Sequence, residues 1–443
     1  MRAGTYAAPI DGGDAMMLHF ESPTAAFHTL KLAVLDTARR GRPVNLAEIA
    51  EVAPRYLGIT ARLTQRAERR ERRWHWVDDP GFDLTEHLDE RTVDGTAGLD
   101  LLCGELAGAH LDQSRPLWTL TLVHGLPEGR QAVVARIHHA IMDGSAAMNA
   151  FTALTSPTEG TAPEPMERTL PPIEAREPLP RRLAAIAALT VDGWRRTREY
   201  GPDESVPRRI LPRTRINPRS NRPGRVCASG SVPLDEVTEL ARLLGVGTMG
   251  ALHGVLAQGL RDYLLAHGEA PAHPLVANFG VVEDVNDPRC EGTRLATARV
   301  WMPVEMTDPL ALVRRTARSC TESVALRRHR GFELQLRAAE FARIVPVLRN
   351  RFVNVPTYTP VHLQTAYVVG PAAARWFGDV EAVGWTSFAV SVAPADLSIT
   401  AYTYAGRVWL GVVVTPGAMP DPGLYLHLTK DALRLLLELA RTA

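Results

Sequence analysis

Two periodicities divide the chain. Compact apolar runs bounded by turn-forming residues predict strands over 30–35, 118–123, 131–138, 274–282, 296–304, 397–404 and 408–414. Apolar positions that return every three or four residues predict helices over 99–111, 183–191, 234–244, 249–265 and 309–327. Leu424, Leu428, Leu435 and Leu439 mark a last amphipathic helix. Asn45 with Glu48 resembles a capping box that opens a helix at Leu46, and Pro54 should limit it. Gly245 should end the 234–244 helix, and Thr248 should cap the next one. Gly250, Gly254 and Gly259 fall inside that next helix, where glycine is disfavoured by about 1 kcal/mol relative to alanine. Close packing against another backbone or a ligand is the expected reason.

Two strand pairs read as hairpins. One joins 118–123 to 131–138 through a loop holding Gly125, Pro127 and Gly129; the other turns across Ala405-Gly406-Arg407. After Thr155 the periodicity fades into a proline- and charge-rich stretch to residue 180, which reads as a linker, and 208–225 is again extended and rich in proline and arginine. Between them, Leu183 to Val191 is apolar and flanked by Arg181, Arg182, Arg195 and Arg196, with Trp194 alongside. Such a segment can dock across a domain junction or lie on a membrane surface. Strands and helices mix on both sides of the linker, so the class is α/β or α+β. The division is 1–155, a crossover over 156–225, and 226–443.

Composition narrows the function classes. The 443 residues carry 50 basic and 49 acidic side chains, a formal net charge of +1. A general nucleic-acid binder would show a strong basic excess, so no nucleic-acid partner is expected. The arginine-dense stretch 66–73 is interspersed with Glu68 and Glu71 and reads as a solvated face. Cys103, Cys227, Cys290 and Cys320 are far apart and form no CxxC pair, which fits neither a zinc site nor a disulfide framework and suggests a reducing compartment. The N-terminus lacks the apolar core of a signal peptide, and no stretch is long enough to span a bilayer. A cytoplasmic protein is the expectation, with peripheral membrane contact through Leu183–Trp194 as an addition to it.

The hairpin of 131–138 delivers Ile137-His138-His139-Ala140-Ile141-Met142-Asp143-Gly144. Histidine accepts a proton near neutral pH, its unperturbed pKa being about 6.5. Asp143 could fix the local backbone or an imidazole tautomer, and Gly144 could let the chain turn and a ligand approach. Adjacent strand residues point to opposite faces, so the two histidines should not chelate one metal, and no third well-spaced ligand is evident. An isolated His-His pair is more often a pair of satisfied core residues. The division of labour that remains sets one histidine toward a cavity as base and packs the other.

His138-His139-Ala140-Ile141-Met142-Asp143-Gly144 matches the HHxxxDG motif of the acyltransferase superfamily that includes chloramphenicol acetyltransferase and peptide-synthetase condensation domains. Leu111-Asp112-Gln113-Ser114-Arg115-Pro116-Leu117-Trp118 resembles the LDRSRPLW segment of bacterial wax ester synthase/diacylglycerol acyltransferases, and Trp76 to Asp83 is similar to another stretch of that family. The resemblance covers nearly the whole chain and is strongest up to Ala150. It implies two chloramphenicol-acetyltransferase-like halves with an active-site channel between them. It also implies an acyl-CoA co-substrate with no bound cofactor, and transfer to a long-chain alcohol or diacylglycerol without an acyl-enzyme. On that resemblance His139 is the general base, His138 its support, and Asp143 structural. Gly144 permits close approach, and Pro116, Leu117 and Trp118 shape the channel with Asn354 and Pro356.

The second half departs from the family pattern. Met249-Gly250 stands where Asn-Asp is common, and Asn354-Val355-Pro356-Thr357-Tyr358 where a glycine-containing segment is common. These departures touch the substrate channel and leave the base alone. Two further readings therefore stand beside the first. The same base could acylate a hydroxyl or amine of a specialised metabolite, from CoA or a carrier-protein thioester. Alternatively, the chain could bind an acyl group or a carrier protein without turnover.

Overall fold

The computed structural model describes residues 7–10, 12–70, 73–165, 167–168, 170, 177–201, 204–218, 222–334, 358–391 and 395–443. Helices α1 (Gly12–Phe20), α2 (Leu46–Val52), α3 (Gly95–Gly108) and α4 (Gly144–Ala153) precede the connection, which contains α5 (Leu179–Tyr200). Beyond it come α6 (Leu234–Leu244), α7 (Thr248–Ala266), α8 (Pro309–Arg330) and α9 (Pro422–Thr442).

Two six-stranded sheets organise the molecule. The first runs Arg375–Phe377, Val380–Phe388, His28–Asp36, Gln131–His138, Trp118–His124, Leu88–Thr92, with only the last pair parallel. The second runs Leu295–Met302, Leu275–Val282, Leu363–Val369, Leu397–Tyr404, Arg407–Val414, Val226–Pro233, and Leu363–Val369 is parallel to both neighbours. Sheet membership does not follow chain order: Val380–Phe388 lies far beyond the connection and yet pairs with His28–Asp36 from Phe388↔Leu30 to Glu381↔Asp36. The same strand packs on the second sheet, where a Cβ at Gly411 would fall 2.1 Å from the Ser387 carbonyl oxygen. This mixed architecture of two sheet-containing halves is the expected α/β class.

Local chemistry explains the element ends. Asn45 Oδ1 accepts from the Glu48 N–H at 2.9 Å, and Asn45 Nδ2 donates to the Glu48 carboxylate at 2.8 Å. Helix α2 then gives way to a tight turn at Ala53–Ile59 with Pro54 at its start. Gly245 closes α6 at φ +66°, as expected. The residue before α7 is Gly247 and carries no side-chain cap, so Thr248 lies inside the helix and does not cap it. In the second hairpin Ala405 and Gly406 both take positive φ, and Arg407 already belongs to the strand.

The glycines of α7 are explained by helix packing. A Cβ at Gly250 would meet Ala317 at 2.8 Å, and one at Gly254 would meet Val313 at 2.6 Å, both on α8. One at Gly259 would meet Thr429 of α9 at 2.4 Å. No ligand is needed to account for them. On α9 the buried stripe includes Tyr425, Leu426, Ala432, Leu433, Leu436 and Leu437; of the four predicted leucines, Leu424, Leu428 and Leu439 pack partly buried beside it and Leu435 is exposed. With Leu435-Leu436-Leu437 in a row, periodicity fits more than one face, and packing on α6 and α7 selects between them.

Candidate active site

The HHxxxDG segment begins at the last residue of a central strand. His138 ends Gln131–His138, and its N–H donates to the Leu117 carbonyl at 3.0 Å. The His139 N–H donates to Phe27 O at 2.8 Å, so neighbouring strands hold both residues. Asp143 is the N-cap of α4 and accepts the Ala146 N–H on Oδ1 at 3.0 Å. The chain thus turns from strand to helix within five residues, with the two imidazoles at the corner.

The two histidines differ in environment. His138 is fully buried, and its Nδ1 accepts the Ala140 N–H at 3.1 Å, which places its proton on Nε2. Burial, then the charges of His28 and His139, pull its pKa down to about 3. It is a neutral packing residue. His139 is half-buried. Thr293 Oγ1 donates its single hydrogen to the His139 carbonyl at 2.8 Å and lies 3.3 Å from His139 Nδ1. With its hydrogen committed, Thr293 can only accept from Nδ1–H, and that leaves the lone pair on Nε2. The imidazole pKa is lowered chiefly by burial, with Lys31 and Arg289 adding to it and Asp143 and its own carbonyl opposing. Both effects favour a neutral ring with a free nitrogen.

Asp143 faces across the molecule. Its Oδ2 accepts from Arg289 and from the Arg294 N–H at 3.1 Å. Arg289 also donates to the Gly292 carbonyl at 2.6 Å and to Asp287 at 2.9 Å. Backbone bonds complete the seam: Asp143 N–H to Gly292 O at 3.1 Å, and Gly292 N–H to Ile141 O at 2.6 Å. From the other side, Asp14 on α1 accepts the Thr293 N–H at 2.7 Å, and burial pushes its carboxyl up to about 7. The loop linking Leu275–Val282 to Leu295–Met302 is therefore gripped by two carboxylates from the first part of the chain. That loop carries Thr293 to the base.

Beneath the corner, Lys31 Nζ donates to Ser387 Oγ at 2.7 Å and lies 3.5 Å from the Tyr402 hydroxyl. Burial brings its pKa down to about 7. The same Tyr402 hydroxyl would stand 2.6 Å from a Cβ at Gly144, so the close neighbour of Gly144 is this phenol rather than open channel space.

Among the expected channel residues, Pro116-Leu117-Trp118 packs behind the motif. Leu117 and Trp118 are buried in one cluster with Ile141 and Met142. Trp118 donates to the Leu63 carbonyl at 2.8 Å and stacks on His87 with ring centroids 4.5 Å apart. Asn354, Pro356 and Thr357 lie outside the described residues. Tyr358 belongs to a short strand paired with Leu211–Pro212, and Met249-Gly250 faces α8. Two clefts open elsewhere, around Trp301 and around Arg315 on α8. Among the described residues no group of three or more His, Cys, Asp or Glu side chains is placed to hold a metal ion.

Sequence reading missed Lys31, Asp14, Arg289 and Thr293. Lys31 did leave a signal, as the one charge inside the apolar run 30–35. Asp14 and Thr293 left none, because their contact joins residues 279 positions apart.

Comparison with known proteins bears on the family and the fold. Residues 10–248 match the model of the wax ester synthase/diacylglycerol acyltransferase catalytic domain, and residues 291–437 match that of the WS/DGAT C-terminal domain. A protein of Mycobacterium tuberculosis named as a candidate diacylglycerol O-acyltransferase is 28% identical over 453 aligned residues, covering 91% of each chain. Among solved structures, a wax ester synthase/diacylglycerol acyltransferase from Marinobacter aquaeolei superposes with a TM-score of 0.73 at 19% identity, covering 98% of this chain and 99% of that one. The first condensation domain of the calcium-dependent antibiotic synthetase superposes at 0.56 with 16% identity, covering 98% and 96%.

Proposed function

The chain belongs to the wax ester synthase/diacylglycerol acyltransferase family and is an acyltransferase; from that premise we propose that it moves a fatty acyl group from a CoA thioester to the hydroxyl of a long-chain alcohol or diacylglycerol. The observation that carries the reading is the Thr293–His139 contact, which leaves Nε2 of a neutral imidazole as the proton acceptor.

In the proposed reaction His139 Nε2 takes the hydroxyl proton as the alcohol oxygen attacks the thioester carbonyl. The carbon–sulfur bond breaks, and the departing thiolate recovers that proton from the imidazolium, so ester and free CoA thiol leave together. A thioester is already activated and both substrates bind at once, so no acyl-enzyme is needed. A positioned general base contributes about 10²–10⁴-fold, and alignment of the two substrates supplies much of the rest. Depression of the His139 pKa by burial keeps the ring unprotonated near pH 7. His138 stays neutral and packs, Asp143 holds the Arg289–Arg294 loop in place, and Lys31 sits below, hydrogen-bonded to Ser387.

The test follows thiol release from palmitoyl-CoA with hexadecanol or diacylglycerol, for wild type and His139→Ala. The expected loss is at least about a hundredfold. Unchanged turnover in the variant removes His139 from the chemistry. Transfer from a carrier-protein thioester, or to a polar hydroxyl or amine, with no activity on lipid alcohols would reassign the substrates.

A further inference from the structure

We propose that α5, together with the arginine-lined hollow beyond its end, is a docking face for an anionic lipid surface. Helix α5 runs 22 residues, longer than its sequence suggests, and lies along α8. Its inner side is fastened there: Tyr200 shares a hydrogen bond with Glu322 at 2.9 Å, and Arg196 donates to the His329 carbonyl at 3.3 Å. The docked-helix reading therefore holds for one face of α5.

The other face is apolar and bare. Leu179 is 55% exposed, Leu183 49%, Val191 67% and Trp194 61%. With exposed Ala187 between them these positions step by four, four, four and three, which is one continuous stripe along a helix. At 1.5 Å per residue it extends roughly 20 Å. Contiguous apolar surface of this kind marks an interaction site.

Charge says what covers it. Helix α5 carries five arginines against Asp192 and Glu199, three net positive charges on a chain whose total is +1. Arg181 and Arg198 flank the stripe, and the Arg198 guanidinium lies 4.7 Å from the centre of the Trp194 ring. Asp192 lies between Arg195 and Arg196, and Glu199 lies near Arg195. On α8, Arg315 and Arg318 precede Glu322 by seven and four residues, so they continue the face that α5 covers. Where α5 stops, that face opens as a hollow of about 630 Å³ lined by Arg314, Arg315 and Arg318 with Glu204. A neighbouring hollow of about 530 Å³ adds Arg209 and Glu305. Leucine, valine and tryptophan seat at the boundary of headgroups and acyl chains, while arginines keep their charge among the phosphates. No single helix among the described residues is long and apolar enough to cross a membrane, and the contact proposed for α5 is a peripheral one.

The purpose of such a face rests on the lipid-ester reading above, since it would hold the enzyme where water-insoluble acceptors are stored. The binding itself does not. The test is co-sedimentation of the full chain with phosphatidylcholine vesicles, with and without about a third phosphatidylglycerol. Wild type should pellet with the anionic vesicles and be released by high salt. The triple variant Leu183→Glu, Val191→Glu, Trp194→Glu should bind at least tenfold more weakly, and Arg314→Glu with Arg315→Glu should weaken the preference for anionic lipid. Thermal melts matching wild type show that the variants are folded, whether or not any acyl transfer is detected. Wild type that ignores anionic vesicles overturns the proposal, as does a folded triple variant that still binds. A dimer that dissociates in the triple variant, without vesicle binding, assigns the stripe to a second copy instead.

Discussion

Thr293 Oγ1 donates to the carbonyl of His139 at 2.8 Å and stands 3.3 Å from its Nδ1, so a residue beyond the connection sets the tautomer of a residue before it. Thr293→Val keeps the shape and removes both contacts. Loss of one hydrogen bond at a desolvated site is worth roughly 1–3 kcal/mol, or about fivefold to 150-fold in rate. The fall is expected in kcat with KM little changed, and Thr293→Ser should recover most of it. A Thr293→Val enzyme with wild-type kcat would show that the ring is held by other groups.

Asp143 and Arg289 form a nearly buried pair, with side-chain exposures of 1% and 11%. Removing only the cation leaves a carboxylate stranded, a change that costs about 3–5 kcal/mol in comparable pairs. Arg289→Met should therefore lower the melting temperature sharply. Adding Asp143→Asn should recover part of the loss, because the uncompensated charge is gone. Calorimetry on both variants reads this directly, and a melting temperature unmoved by Arg289→Met contradicts it.

Acid should loosen the fold from within the first sheet. His28 and His138, paired across neighbouring strands, are both pulled down to about 3 by burial. Between about 3 and the ordinary value near 6.5 the unfolded chain binds protons that the native state refuses, so their contribution to stability falls as pH drops. Asp14 opposes this in part: its raised value favours the native state at acid pH and loses that effect as pH climbs to about 7. The His28–His138 pair is expected to lower the melting temperature from pH 6.5 to pH 4, with buried His362 adding to the fall and the raised carboxyls of Asp100 and Asp396 joining Asp14 against it. His28→Gln should flatten the slope, and an unaltered slope would place the acid sensitivity elsewhere.

The α7 glycines give a packing prediction. Val313 leaves no room at Gly254 and Thr429 none at Gly259. Gly254→Ala and Gly259→Ala should each destabilise by about 1–3 kcal/mol, because overpacking outweighs the gain in helix propensity. Urea midpoints test it. A stabilised alanine variant would mean that the helices separate more easily than their contacts imply.

Most elements and the HHxxxDG segment were legible in the sequence, because local pattern determines them. The apolar runs that became strands, the Asn45 cap and the Gly245 stop are short-range effects, and HHxxxDG is contiguous. What escaped is set by tertiary contact. Val380–Phe388 has a glycine at its bulge and mixed polarity, since one of its faces meets the second sheet at Gly411 and Trp409. The buried face of α9 was ambiguous within its leucine run. At the site, Asp14, Arg289 and Thr293 converge from separated segments, and only the folded chain puts them around His139.

The strand Val380–Phe388 has a consequence for taking the protein apart. If the gene were cut at the connection, the first fragment would carry His28–Asp36 as a naked edge, a long row of unmet N–H and C=O groups on an apolar strand. Such a fragment is expected to precipitate when expressed alone. Co-expressed with its complement it should be rescued, because the missing strand would be donated in trans, much as a pilin subunit completes its neighbour.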